Sequence, residues 1–138
     1  MNLLLDTHIL IWALSQNERL SKKAQDYLKN PEHNFYYSII SLWEIAIKNR
    51  SSKKPIEFSV EQILQACEEA EYTRIPLEDT HIRYLNRLRR NSDAPPHKDP
   101  FDMMLICQAA TAGLDEEMYL LTHDRLLIGY EDAPIISV

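Results

Sequence analysis

Glycine is almost missing from this chain, with only Gly113 and Gly129 in 138 residues. That excludes a Gly-rich phosphate-binding loop and disfavours an all-β design built on tight turns. Cysteine is as scarce: Cys67 and Cys107 each stand alone in a helix-like segment. No Cys-x-x-Cys or His-x-x-x-His spacing suggests zinc, so both read as small buried apolar residues. Long apolar runs are absent too. The opening run, MNLLLDTHILIW, is broken by Asp6 and His8, and nothing elsewhere approaches the ~20 apolar residues of a membrane span. It does not have the form of a signal peptide either, so a cytoplasmic location and no membrane partner are expected. Basic charge is not in excess. The formal net charge of −6 argues against a protein that coats nucleic acid nonspecifically.

What is present fits a globular protein, with 45% apolar and 26% charged residues. The length predicts one domain over 1–138. Strand-like segments fall at Asn2 to Leu5, Phe35 to Ser38, Thr73 to Ile75, Met118 to Thr122 and Ile135 to Val138. Between them, helices are expected at Thr7 to Ser15, from Ser21 to Asn30, and over Ile40 to Arg50. Further helices are expected over Ser59 to Glu69, Glu78 to Asn91 and Phe101 to Ala112, the last stopped at Gly113. SSKKP from Ser51 and the proline-rich DAPPHKDP read as loops. Short strands separated by helices predict an α/β fold: a three-layer α/β/α sandwich around a mostly parallel sheet of about five strands.

In such a sheet the ligand crevice lies at the carboxyl ends of the strands, and acids fall there. Asp6 follows the first strand and Asp124 follows the strand from Met118. Glu44 comes about one and a half helical turns after the second strand, and Asp102 lies in the first turn of the apolar helix beside Asp99. Each has an ordinary alternative. Asp6 and Asp124 suit helix N-caps. Glu44 precedes Lys48 by four residues, as in a surface ion pair, although it borders the apolar arc of Ile39, Ile40, Trp43 and Ile47. Asp99-Pro100-Phe101-Asp102 reads as a helix start with Asp99 as cap. Capping suits Asp102 less, because the wheel sets it among Leu105, Ile106, Ala109 and Ala110, where an uncompensated carboxylate costs several kcal/mol.

Together the acids make sense if cations occupy them, since like charges held close raise one another's pKa. Oxygen ligands without a Cys or His cluster point to Mg²⁺ or Mn²⁺. The chemistry that follows is metal-assisted hydrolysis of a phosphodiester.

At these residues the sequence resembles the PIN-domain nucleases, in particular the VapC-type toxins of bacterial toxin–antitoxin systems. LLLDTHILIW resembles the opening strand with its first aspartate, Asp6. SIISLWEIAIK resembles the segment with the family's glutamate, Glu44. HKDPFDMMLICQAA resembles the third acidic segment, carried onto Asp102, and LLTHD the fourth, with Asp124. The resemblance implies a Mg²⁺- or Mn²⁺-dependent endoribonuclease, with Asp6, Glu44, Asp102 and Asp124 catalytic. Asp6, Glu44 and Asp102 would hold the metal, with Asp99 a metal auxiliary whose role the resemblance leaves open. Thr7, Ser38 and Thr122 fall where hydroxyls line such a site, against ordinary cap or turn chemistry. An antitoxin occupying the groove beside the acids and a homodimer are implied as well.

Basic residues must flank an acidic pocket that takes RNA. Arg83, Arg87 and Arg90 are spaced to share one helix face, and Lys48, Arg50, Lys53 and Lys54 follow Glu44. Solvated helix surfaces are the competing explanation for both groups. Lys98 and His97 adjoin Asp99 as phosphate contacts, against the alternative that His97, like His123, is a loop residue without a role. The apolar residues Trp12, Tyr27 and Leu28 suit either a docking surface or the core. Two rivals remain: another metal-dependent phosphohydrolase, which lacks its expected Asp-x-Asp here, and a non-catalytic module that keeps the fold and acts through protein contacts.

Overall fold

The computed structural model describes residues 1–51, 53, 56–112 and 116–138. Five strands, β1 (Asn2–Leu5), β2 (Asn34–Ser38), β3 (Thr73–Ile75), β4 (Met118–Thr122) and β5 (Ile135–Ser137), form one sheet in the order β3-β2-β1-β4-β5. Every pairing is parallel, with Leu4 opposite Tyr36 on one side and Leu120 on the other. The helices are α1 (Thr7–Ser15), α2 (Lys22–Lys29), α3 (Ile39–Ser51), α4 (Val60–Glu69), α5 (Asp79–Tyr84) and α6 (Pro100–Ala112). None is long and apolar enough to cross a membrane, among the described residues.

The three layers follow from the two-residue period of the strands. Leu5, Tyr37 and Leu121 face one core with Ile9 and Leu10 of α1, Ile45 of α3 and Ile63 of α4. Their neighbours Leu4 and Leu120 face the other, with Leu105, Ile106 and Ala109 of α6. Cys67, in the first core, and Cys107 are buried free thiols, and burial raises the pKa of both to about 11. Trp12, Tyr27 and Leu28 are partly buried against the first core. The strand order leaves β1 outward to β2 and β3 on one side, then reverses to β4 and β5. The carboxyl ends of β1 and β4 therefore flank the point where an open parallel sheet places its crevice.

Two expectations need correction. The helix expected over Glu78 to Asn91 ends at Tyr84, followed by a 3-10 turn, Leu85–Arg87. Leu88 is extended, and the chain then pairs with the segment after β4: Arg90 bridges Tyr130, Asn91 N donates to Gly129 O at 2.8 Å and Glu131 N to Arg89 O at 2.7 Å. Tertiary pairing overrides the helical pattern here. The second correction concerns α3. Its buried side holds Ile40, Ser41, Leu42, Glu44 and Ile45, while Trp43 is 56% and Ile47 39% exposed. The helix is turned so that Glu44 lies inside the buried arc instead of at its margin. The expected stop at Gly113, and Ser52, Lys54 and Pro55 of the expected loop, lie outside the described residues.

The Arg90 bridge makes a prediction about glycine. Arg90 donates from Nε to Pro95 O and from Nη1 to Leu126 O, both at 2.7 Å, and its guanidinium lies 4.8 Å from the Tyr130 ring centre. Gly129 packs beneath it: a Cβ there would come within 2.7 Å of Ala94 Cβ and 2.8 Å of Arg90 Nη1. Gly129→Ala is expected to destabilise the fold by about 1–3 kcal/mol, read as a lowered urea midpoint. An unchanged midpoint would show that the Ala94 segment moves aside freely.

Candidate active site

Asp6 is delivered by the end of β1 and caps α1. Its Oδ1 accepts from Ile9 N at 2.8 Å, and its Oδ2 accepts from the Thr122 hydroxyl at the end of β4. Capping and site membership are thus not alternatives; one carboxylate does both. Only 6% exposed, Asp6 has its pKa raised from 3.8 to about 6, chiefly by burial. The Thr122 and Ile9 hydrogen bonds and nearby His123 oppose the rise, and the charge of Glu44 adds to it.

Glu44 comes in from α3 and is 3% exposed. Thr7, the first residue of α1, donates to its Oε1 at 2.7 Å, and Ser41 Oγ stands 2.9 Å from the same hydroxyl. Its Oε2 pairs with Lys48 one turn on, so the ion pair read from the spacing exists with one partner buried. Lys48, expected to face RNA, is committed to this carboxylate.

Asp102 projects from the first turn of α6. Asp99 caps that helix, its Oδ1 accepting from Phe101 N at 2.9 Å and from Asp102 N at 3.3 Å. Burial, then Asp99, raises the Asp102 pKa to about 6; the His97 hydrogen bond opposes this, and Asp6 and Glu44 add to it. Asp6, Glu44 and Asp102 thus act on one another through their charges, although they come from β1, α3 and α6.

His97, open at the level of sequence to either a phosphate contact or a loop without a role, is built into the site. Its Nε2 meets Asp102 Oδ2 at 3.2 Å and its Nδ1 meets the Tyr130 hydroxyl at 2.6 Å. Its side chain is 4% exposed. Asp124 joins this side: ligand atoms of His97, Asp102 and Asp124 all lie within 4.8 Å of one another. Asp124 also caps the 3-10 turn Arg125–Gly129, with Oδ1 accepting from Leu126 N at 2.9 Å, while its own N donates to Thr122 Oγ1 at 2.9 Å.

Of the three expected hydroxyls, Thr7 and Thr122 contact carboxylates. Ser38 does not: it donates to Gln108 Oε1 at 2.5 Å and caps Ile40 N at 3.0 Å. Gln108, whose amide also donates to Pro76 O at 3.2 Å, is a buried polar residue that the sequence reading passed over. It could have been noticed as a lone amide within an apolar helix. Tyr130 gave no such signal, because only the fold brings it to His97.

The arginines do not form one stripe. Arg83 pairs with Asp79 at 3.3 Å on the surface, Arg87 lies 5.7 Å from the Tyr84 ring centre, and Arg90 is held by backbone carbonyls. Arg50, Lys53 and Lys98 are exposed, and Lys54 lies outside the described residues.

Among solved structures, a chain from the crystal structure of VapBC2 from Rickettsia felis bound to a DNA fragment from their promoter shares the fold. Its TM-score is 0.68 at 16% identity, covering 99% of this chain and 98% of that one. No curated protein matches the chain in sequence. A family model described as PIN domain matches residues 3–131. With that match spanning nearly its whole length, the chain belongs to the PIN domain family.

Proposed function

We propose that this protein is a metal-dependent endoribonuclease, organised as one domain over 1–138 and serving as the toxin of a toxin–antitoxin pair. One observation carries the reading most: carboxylates from β1, α3, α6 and the turn after β4 gather at the carboxyl edge of a parallel sheet. Membership of the PIN domain family and likeness in fold to a chain of the VapBC2 complex support it. An antitoxin partner, a homodimer and a cytoplasmic location belong to the same proposal.

The residues present fit a divalent cation. Asp6 and Asp102 have pKa values raised to about 6, first by burial and then by neighbouring carboxylates, Glu44 for Asp6 and chiefly Asp99 for Asp102, which a bound cation would relieve. Carboxylate oxygens suit Mg²⁺ or Mn²⁺, with the His97 imidazole grouped closely with Asp102 and Asp124. Asp6, Glu44 and Asp102 would hold it, with Asp124 assisting; Asp99 keeps its capping role. When bound, the metal supplies a lowered pKa for water and neutralises charge on the leaving oxygen.

The chain's own part is positioning. The Thr122 hydroxyl orients Asp6, Thr7 orients Glu44, and Tyr130 holds the ring of His97 that orients Asp102. Lys48 sets a positive charge beside Glu44. Partners of this kind fix ligand geometry, and losing one typically costs 10–100-fold.

The test is cleavage of a mixed tRNA, rRNA and mRNA pool with Mg²⁺ or Mn²⁺, comparing the natural protein with Asp102→Asn, alongside Mn²⁺ calorimetry. Cleavage is expected only with metal. The variant should lose at least about 10²-fold of it and bind Mn²⁺ more weakly. Equal cleavage by both proteins would remove Asp102 from the site. Mn²⁺ binding without cleavage of any RNA would overturn the ribonuclease reading.

A further inference from the structure

Trp43 is the most exposed of the large apolar side chains, at 56%, yet it directly precedes a glutamate that is almost fully buried. Its indole meets Phe101 of α6 edge to face, with ring centres 5.2 Å apart and planes at 83°. Phe101 in turn directly precedes Asp102. The two rings therefore join α3 to α6 beside the acids that those helices supply. Such an arrangement holds the indole from one side while leaving much of its surface in water.

Cations stand along the same rim, beside the carboxylates of Asp99 and Asp102. Ile47 and Arg50 follow Trp43 at one and two turns, on the same side of α3. Lys98, also exposed, stands three residues before Phe101. An acidic crevice repels a polyanion; flanking cations offset that, and uncharged rings attract bases whatever their sequence. The apolar part of the rim is small, with Trp43, Ile47 and the edge of Phe101 set between cations and carboxylates. That mixture complements a phosphate-linked base better than an apolar peptide face.

We infer that Trp43, braced by Phe101, is a stacking platform for an unpaired base next to the scissile phosphate. This rests on the ribonuclease reading above. In a duplex each base face is covered by its neighbours and only base edges are offered in the grooves, so no ring can stack on an internal base. An unpaired strand presents faces, and each stacked base contributes binding without sequence discrimination.

The experiment uses a twelve-nucleotide oligouridylate and an abasic ribose-phosphate strand of the same length, with calcium in place of a catalytic metal. Affinity is read from the anisotropy of end-labelled strands with the natural protein, Trp43→Phe and Trp43→Ala, and stacking from tryptophan emission in the natural protein. Oligouridylate is expected to quench Trp43 and to bind about 5- to 150-fold more tightly to the natural protein than to Trp43→Ala. Trp43→Phe should recover most of that difference, and the abasic strand should discriminate little among the three. Equal affinity for the two strands would overturn the platform. So would emission that changes only with protein concentration, which would mark the rim as a contact between copies. Failure of the ribonuclease reading is separable: stacking without cleavage of any RNA sinks that reading alone, while cleavage indifferent to Trp43 sinks the platform alone.

Discussion

Asp6→Asn is expected to make the metal-free protein more stable while abolishing metal-dependent cleavage. The stability half follows from the folded carboxyl holding its proton up to about pH 6 against 3.8 for the free group. A group whose pKa is raised on folding contributes its full stability below the unfolded value and loses it as pH rises through the folded one. Below about pH 4 the two proteins should therefore differ little. Between about pH 4 and 6 the natural protein should lose ground. Above about pH 6 the difference should level off at about 3 kcal/mol, which is 1.36 kcal/mol for each pH unit of displacement. Asparagine keeps the geometry: its carbonyl can accept from Ile9 N, and its amide can donate to Thr122 Oγ1. Urea unfolding in chelator from pH 4 to 8 reads the curve directly. A variant no more stable than the natural protein at pH 8 would show that Asp6 carries no buried charge.

Thr122→Val is expected to damage both stability and activity. The hydroxyl is fully buried, donates to Asp6 and accepts from Asp124 N. Valine has the same shape but strands both partners, and each buried unsatisfied group costs about 1–3 kcal/mol. Asp6 also loses a hydrogen bond that opposes its pKa rise, so its proton should be held still more tightly. Activity should fall about 10–100-fold, whereas Thr122→Ser should restore most of both. If the valine protein unfolds at the same urea concentration as the natural one, the bond does not exist in solution.

Much of the frame was legible because it is local. Strand β3 was found from Thr73 to Ile75, and Ser21 and Ser59 cap α2 and α4 through backbone N–H groups three residues on. The acids were legible because carboxylates at strand ends and inside apolar helices are unusual wherever the fold lies. What could not be read was set by distant partners. Leu85 to Asn91 carries a helical pattern but meets Gly129 to Glu131, so two arginines leave the face predicted for them. The roll of α3 was invisible for a similar reason: Thr7 and Ser41 give Glu44 a polar lining, and Trp43 is turned out. The Tyr130–His97–Asp102 chain spans residues that no spacing rule links.

The strand order has a consequence for how the molecule comes into being. β1 is synthesised first, yet it pairs with β4, more than a hundred residues later in the chain. During translation its far edge stays open until Met118 to Thr122 have left the ribosome, and pairings this distant in sequence form slowly. Asp6 gains its Thr122 bond, and Asp102 its Asp124 and Tyr130 neighbours, only at that last step. Until β4 has emerged, a nascent chain therefore carries Asp6 without its Thr122 partner and Asp102 without Asp124. If the finished protein cuts RNA, the message being read is spared by topology until β4 has emerged and paired.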